Sequence, residues 1–219
     1  MTTPKAKLAG LALITAPGGA RVSVEKLRNR IHGAIGRRLG PVTRGLARRG
    51  VRPSKITVAG TLICLTGAGL VLADRLVLAG AVWLVGSALD LVDGALARNQ
   101  GQGTAAGAFL DSTLDRISEG ALFAAITYHF AQAGDALAAA LTAVALLGAL
   151  LVSYVRARAE ALGANCKVGI ITRAERVVLL GLGLCFGLLE PAIYLLAALS
   201  AVSVAQRVHH SLRELGANP

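Results

Sequence analysis

The stretch LDLVDGALARNQGQGTAAGAFLDSTLDR, residues 89–116, decides how this chain folds. Its flanks are fit for lipid, yet it carries four carboxylates: Asp90, Asp93, Asp111 and Asp115. A carboxylate at the centre of a membrane-spanning helix costs about 2.5–3.5 kcal/mol even on the gentler insertion scale. Four of them, in pairs spaced i,i+3 and i,i+4, are best explained by a cation that they share. Residues three or four apart lie on one helical face. Asp90 and Asp93 therefore point the same way from one helix, and Asp111 and Asp115 from the next. Between the pairs, Asn99 to Gly103 is too polar and Gly-rich to continue a helix, so a turn is expected there. Two helices joined by so short a turn are antiparallel neighbours, and the four carboxylates converge near it, at the membrane edge. Oxygen ligands without Cys or His suit Mg²⁺ or Mn²⁺ rather than Zn²⁺.

Around this stretch the sequence predicts an all-α integral membrane protein. Mean hydropathy is +0.62, and abundant Gly and Ala with few aromatic residues suit closely packed helices. Six transmembrane helices are expected, at 56–73, 76–97, 106–130, 135–155, 174–189 and 191–208. The net charge of +11 supports that topology. With both termini cytoplasmic, all 23 Lys and Arg except Arg75 fall on the cytoplasmic side or at that edge of a span. This is the positive-inside pattern. It places the four aspartates at the cytoplasmic face of the cell membrane and assigns the basic balance to topology and anionic lipid. No nucleic-acid module is visible, and no nucleic-acid partner is expected.

Residues 1–22 read as a flexible cytoplasmic extension, in preference to a cleaved signal, which would clash with the charge topology. Residues 23–53 read as an amphipathic interfacial helix before the six-helix membrane domain of 54–219. Val24, Leu27, Ile31, Ile35, Leu39, Val42 and Leu46 recur at helical spacing among arginines, which suits a helix lying on the membrane surface, bent at Pro41. Ser54 is the expected N-cap of the first span. Cys64, Cys166 and Cys185 lack metal or redox spacing and are expected as reduced thiols. His32 and His129 are isolated; His209 and His210 suggest a solvated pair. Arg156, Arg158, Arg173 and Arg176 flank the loop 159–172 at the same face as the aspartates. They are either ordinary positive-inside flanking or an anion pocket, since the Arg fork matches phosphate oxygens.

The motif combines Asp90, Asp93, Gly94, Ala97, Arg98, Gly107, Asp111 and Asp115 at fixed spacing. It closely resembles the signature of the CDP-alcohol phosphotransferase family. The resemblance in topology runs from about residue 24 to the C-terminus. It implies two divalent ions, Mg²⁺ with Mn²⁺ as the alternative, held by Asp90, Asp93, Asp111 and Asp115. It also implies a CDP-lipid site from Ser54, Lys55, Ile56, Thr57, Gly94, Ala97, Arg98, Thr104 and Gly107. Gly94 and Ala97 would leave room for the nucleotide, Arg98 would neutralise phosphate, Thr104 would donate a hydrogen bond, and Gly107 would let the two helices pack closely. The implied reaction joins an acceptor hydroxyl to the lipid-bearing phosphorus of a CDP-alcohol and releases CMP. Asp115, last in the motif and nearest the acceptor, is the expected general base. The family resemblance further suggests a homodimer.

The segment from Ser153 to Arg176 resembles the corresponding region of phosphatidylinositol phosphate synthases. That resemblance makes inositol 1-phosphate the expected acceptor, a phosphorylated polyol, with Arg156, Arg158, Arg173 and Arg176 as its binding residues. Glycerol 3-phosphate, the acceptor of phosphatidylglycerophosphate synthases, would also want basic residues and is the rival. A rival from another class is an ion-coupled transporter, which would place its acids nearer the bilayer midplane on repeated halves.

Overall fold

The computed structural model describes residues 40–41, 43–100 and 103–217, without the side chains of 98–100. Every regular element among them is helical. After a helical segment at 43–48 come α1 (Pro53–Leu72), α2 (Leu76–Gln100), α3 (Ala105–Gln132), α4 (Ala136–Ala161), α5 (Arg173–Cys185) and α6 (Leu189–Ala217).

Turn chemistry explains where the chain reverses. After α3, Gly134 adopts φ 77°, and the amide of Asp135 returns to the Phe130 carbonyl at 2.9 Å. This is the left-handed helix stop that glycine alone takes without cost. Asp135 then caps α4, its Oδ1 accepting from the Ala138 amide at 2.8 Å. At the other end of α4 and after α5, Gly163 and Gly187 take the same left-handed conformation. The consecutive pairs α1–α2, α3–α4 and α5–α6 pack directly on one another, whereas α2 and α3, expected from the sequence as neighbours, make no principal contact among the described residues: each packs on α1 instead.

The principal helix contacts close a ring: α1 packs on α2, α2 on α5, α5 on α6, α6 on α4, α4 on α3, and α3 on α1. Its interior is filled by Trp83, Leu122, Phe123, Ile126, Leu180, Leu184, Ile193 and Leu196, all buried. Trp83 satisfies its one polar atom by donating from Nε1 to the Val177 carbonyl at 3.2 Å. The outward faces are also apolar, with Leu62, Val77, Leu147 and Leu195 exposed. Helices that are apolar all round suit a lipid surround rather than water.

Small residues set the crossings. A Cβ added at Gly80 would lie 2.7 Å from the Gly181 carbonyl oxygen, a backbone atom that no rotamer change can move. Gly80→Ala is expected to destabilise the protein by about 1–3 kcal/mol through overpacking. Gly69→Ala, where the added Cβ meets nothing within 4 Å, should match the wild type or gain up to about 1 kcal/mol from helix propensity. Thermal midpoints in detergent check both; equal losses at the two positions would refute the close-packing account.

Among the described residues, four helices are long and apolar enough to cross a membrane by length and composition: Pro53–Leu72, Leu76–Ala97, Ala136–Ala161 and Leu189–Ala217. The other two helices differ for identifiable reasons. α3 carries Asp111, Asp115, Arg116 and Glu119 within three turns, and α5 has 13 residues, about 20 Å against a hydrocarbon thickness of about 30 Å.

Several boundaries move from the sequence expectation. Ser54 is not the N-cap: Arg52 occupies that position and Pro53 begins the helix, where its missing N–H costs nothing. α2 runs through Asn99 and Gln100 instead of turning at Asn99. α4 extends to Ala161, α5 stops at Cys185, and α6 continues to Ala217. Most of the expected amphipathic helix, and all of residues 1–22, lie outside the described residues. His129 is not isolated, since its Nδ1 lies 3.3 Å from Asp74 Oδ1. His210 contacts Glu214 at 3.1 Å and the Asn165 carbonyl at 3.0 Å. All three cysteines are free, with Cys64 and Cys166 buried.

Candidate active site

The end of α2 and the start of α3 bring the two aspartate pairs to one end of the ring. The four carboxylates are near enough to act electrostatically on one another. Asp93 is buried and accepts a hydrogen bond from the Thr57 hydroxyl of α1 at 2.6 Å. That bond ties the first helix to the motif, and Thr57 is the member of the expected Ser54–Thr57 group that enters the cluster. Ser54 and Lys55 are exposed beside it, and Ile56 is half-buried. One turn further along α1, an added Cβ at Gly60 would sit 3.3 Å from Asp90 Oδ1 and 3.0 Å from the Gly86 carbonyl oxygen. Gly60 thus lets α1 approach Asp90 closely.

Arg173 enters from the first position of α5. Its Nη1 donates to Asp90 Oδ2 at 2.9 Å, and its Nη2 lies 2.7 Å from Asp115 Oδ1. Arg116 approaches the other Asp115 oxygen at 3.5 Å. A local sequence signal fixes Arg173: Thr172 and Glu175 form a reciprocal capping box, with the Thr172 amide donating to Glu175 Oε2 at 2.8 Å. Arg176, one turn later, makes a two-pronged pair with Glu119, at 2.7 Å from Nε and 3.0 Å from Nη2. Both side chains are almost wholly buried, at 1% and 2% exposure.

Arg173 also lines a cavity of about 270 Å³, together with Arg116, Arg156, Arg176, Arg207, Ser153, Glu160 and Thr172. Two buried donors at this place have no partner among the described residues, Arg173 Nε and Arg176 Nη1. A buried donor left unpaired is costly, so these atoms favour an anionic ligand. Three of the four arginines expected there, Arg156, Arg173 and Arg176, line the cavity. Arg158 does not; it is exposed elsewhere on α4. Arg207, which the sequence reading missed, commits two of its five N–H donors to structure, giving hydrogen bonds to the Val168 and Val152 carbonyls at 2.9 and 2.6 Å.

The remaining expected residues are near the same turn. Gly94 and Ala97 follow Asp93 on α2, both half-buried, and the Arg98 side chain lies outside the described residues. Thr104 caps α3, its Oγ1 accepting from the Gly107 amide at 3.0 Å, which leaves the hydroxyl proton for another acceptor. The expected reason for Gly107 is corrected. An added Cβ there would press on Thr104 Oγ1 at 3.0 Å, with nothing from another helix within 4 Å among the described residues.

The donor set fits a hard divalent cation: four carboxylates, no sulfur or imidazole, and a cation already clamped between Asp90 and Asp115. Among the described residues no three acidic, His or Cys side chains converge as preformed ligands of one ion. The guanidinium of Arg173 stands between two of the acids.

Residues 51–206 match the family pattern described as CDP-alcohol phosphatidyltransferase. A phosphatidylinositol phosphate synthase of Mycolicibacterium smegmatis is 40% identical over 77% of this chain and 81% of its own length. An archaetidylinositol phosphate synthase of Pyrococcus horikoshii is 35% identical over 78% of this chain and 88% of its own length. The solved phosphatidylinositol phosphate synthase of Mycobacterium tuberculosis, with CDP-DAG bound, superposes with TM-score 0.77 and 34% identity, covering 84% of this chain and 98% of that one. The same enzyme in complex with manganese and citrate gives TM-score 0.77 and 34% identity over 83% of this chain and 92% of that one.

Proposed function

The chain belongs to the CDP-alcohol phosphatidyltransferases, membrane enzymes of phospholipid synthesis, and on that premise we propose that it transfers the phosphatidyl group of CDP-diacylglycerol to a hydroxyl of inositol 1-phosphate. The acceptor oxygen bonds to the lipid-bearing phosphorus, the bond from that phosphorus to CMP breaks, and CMP leaves with the electron pair. Asp115 accepts the hydroxyl proton. Asp90, Asp93, Asp111 and Asp115 hold two divalent ions, Mg²⁺ or Mn²⁺, which when bound stabilise the charge developing on the pyrophosphate. The manganese of the M. tuberculosis structure supports a divalent metal.

Each remaining residue serves binding or orientation. Thr57 positions Asp93 through its hydrogen bond. Ser54, Lys55 and Ile56 at the mouth of α1 receive the CDP-lipid together with Gly94, Ala97, Arg98 and Gly107. The free hydroxyl proton of Thr104 is available to the nucleotide. Six spans carry the site, with α3 and α5 crossing as members of the ring, where neighbouring helices shield their charges and short length. The aspartates lie at the cytoplasmic face of the cell membrane, where nucleotides are at hand, and the working form is a homodimer.

The observation that carries the acceptor reading is the arginine-lined cavity, one of whose walls, Arg173, also pairs with Asp115. A phosphate there would meet Arg156 and the unpartnered donors of Arg173 and Arg176. Arg156→Gln should raise the KM for inositol 1-phosphate about tenfold or more, the worth of one charged hydrogen bond, with the KM for CDP-diacylglycerol unchanged. Steady-state kinetics with each substrate varied in turn checks this. An unchanged acceptor KM would remove the cavity as the acceptor site.

A further inference from the structure

Arg173 sits at a conflict. It occupies the first turn of α5, where the helix dipole favours anions and opposes cations. Arg176 is placed in that turn as well and is neutralised by Glu119. Arg173 has instead taken two carboxylates from different helices, Asp90 of α2 and Asp115 of α3, at 2.9 and 2.7 Å. These oxygens are the ones a divalent ion held by the cluster would need. A guanidinium and a metal ion compete for them, since both are cations and each lone pair serves one partner well. Arg173 also lines the cavity beside Arg116, Arg156 and Arg176, with its Nε buried and unpartnered.

We infer that Arg173 is the internal counter-cation of the aspartate cluster, displaced when metal binds, and that the released guanidinium then completes the site for the acceptor's phosphate. The inference rests on the metal-dependent reading of the cluster given above. It assigns one side chain two partners in sequence: carboxylates before metal loading, an acceptor anion after it. It makes metal and acceptor binding mutually reinforcing without any requirement that they touch. By linkage, the acceptor must tighten metal binding by the same factor as metal tightens acceptor binding.

The test is Mn²⁺ binding to purified full-length protein, followed by electron paramagnetic resonance, with no lipid or turnover. Removing the competing cation in Arg173→Gln should tighten Mn²⁺ binding about tenfold, within the usual range of coupling between sites. Arg156→Gln, which lines the same cavity and pairs with Glu160 at 2.8 Å rather than with an aspartate, should leave Mn²⁺ affinity at the wild-type value. Wild-type protein should bind inositol 1-phosphate more tightly with Mn²⁺ than without, and Arg173→Gln should lose most of that difference. Arg173→Lys keeps the charge without the fork and covers a failure of the Gln variant to fold; its Mn²⁺ affinity should fall between the two. Unchanged or weaker Mn²⁺ binding in folded Arg173→Gln or Arg173→Lys overturns the inference while leaving the transferase reading intact. Mn²⁺ binding that is absent from the wild type overturns both.

Discussion

Asp115→Asn lowers CMP release by about a thousandfold, the usual worth of a positioned base, while the protein stays folded. The substitution keeps shape and volume and removes only the charge and the proton-accepting oxygen. Arg173, which bridges Asp115 and Asp90, retains Asp90 at 2.9 Å, so the guanidinium is not stranded. The apolar interior, built on Trp83, Phe123, Ile126 and Leu184, lies away from the change. Asp111→Asn should behave alike, because Asp111 belongs to the same charge cluster. The matched control is Asp74→Asn. Asp74 sits in a different turn, between α1 and α2, with φ 59°, a backbone conformation that Asn tolerates as well as Asp. It should keep wild-type turnover. The measurement is CMP release by purified, folded variants in detergent, with thermal midpoints as the folding check. Full turnover by Asp115→Asn would remove Asp115 from the chemistry.

The second large effect is on stability. Glu119→Ala should destabilise the protein by about 3–5 kcal/mol, because it leaves the buried Arg176 guanidinium without its counter-charge. Arg176→Met should cost about as much by stranding Glu119. The double variant Glu119→Leu, Arg176→Met removes both charges and should recover most of that loss. A double-mutant cycle on thermal or denaturant stability measures the coupling. Activity should separate from stability here. The double variant, though folded, loses the Arg176 Nη1 donor from the cavity and should show a raised acceptor KM. Single variants within about 1 kcal/mol of the wild type would show that water reaches the pair.

The legible and illegible parts of this site follow from its geometry. The aspartate pairs could be read because i,i+3 and i,i+4 spacing fixes a common face without any tertiary information. The same rule explains why Arg158 does not line the cavity with Arg156. It stands two positions from Arg156, a step that turns its side chain well around the helix. Glu119 continues the Asp111, Asp115 series by four residues and was visible in principle. Its role was hidden because its partner, Arg176, lies 57 residues away. The Arg173–Asp90 contact spans 83 residues and depends on ring closure through α2 and α5, which local patterns do not encode. The capping box at Thr172–Glu175 was a readable signal that places Arg173 at the start of α5. Helix ends moved where backbone chemistry outweighed side-chain preference: Pro53 starts α1 although Ser54 is the better capping residue by type, and α2 persists through the polar Asn99 and Gln100. Gly60 was unreadable, since only the crossing of α1 with α2 reveals how little room a side chain would have there.

The central claim is tested most directly by CMP release from CDP-diacylglycerol by the purified wild-type protein with Mg²⁺, one acceptor at a time. The account predicts release with inositol 1-phosphate and none above background with glycerol 3-phosphate, serine or free inositol. Release with glycerol 3-phosphate alone would contradict the acceptor assignment, and no release with any acceptor would contradict the proposed reaction.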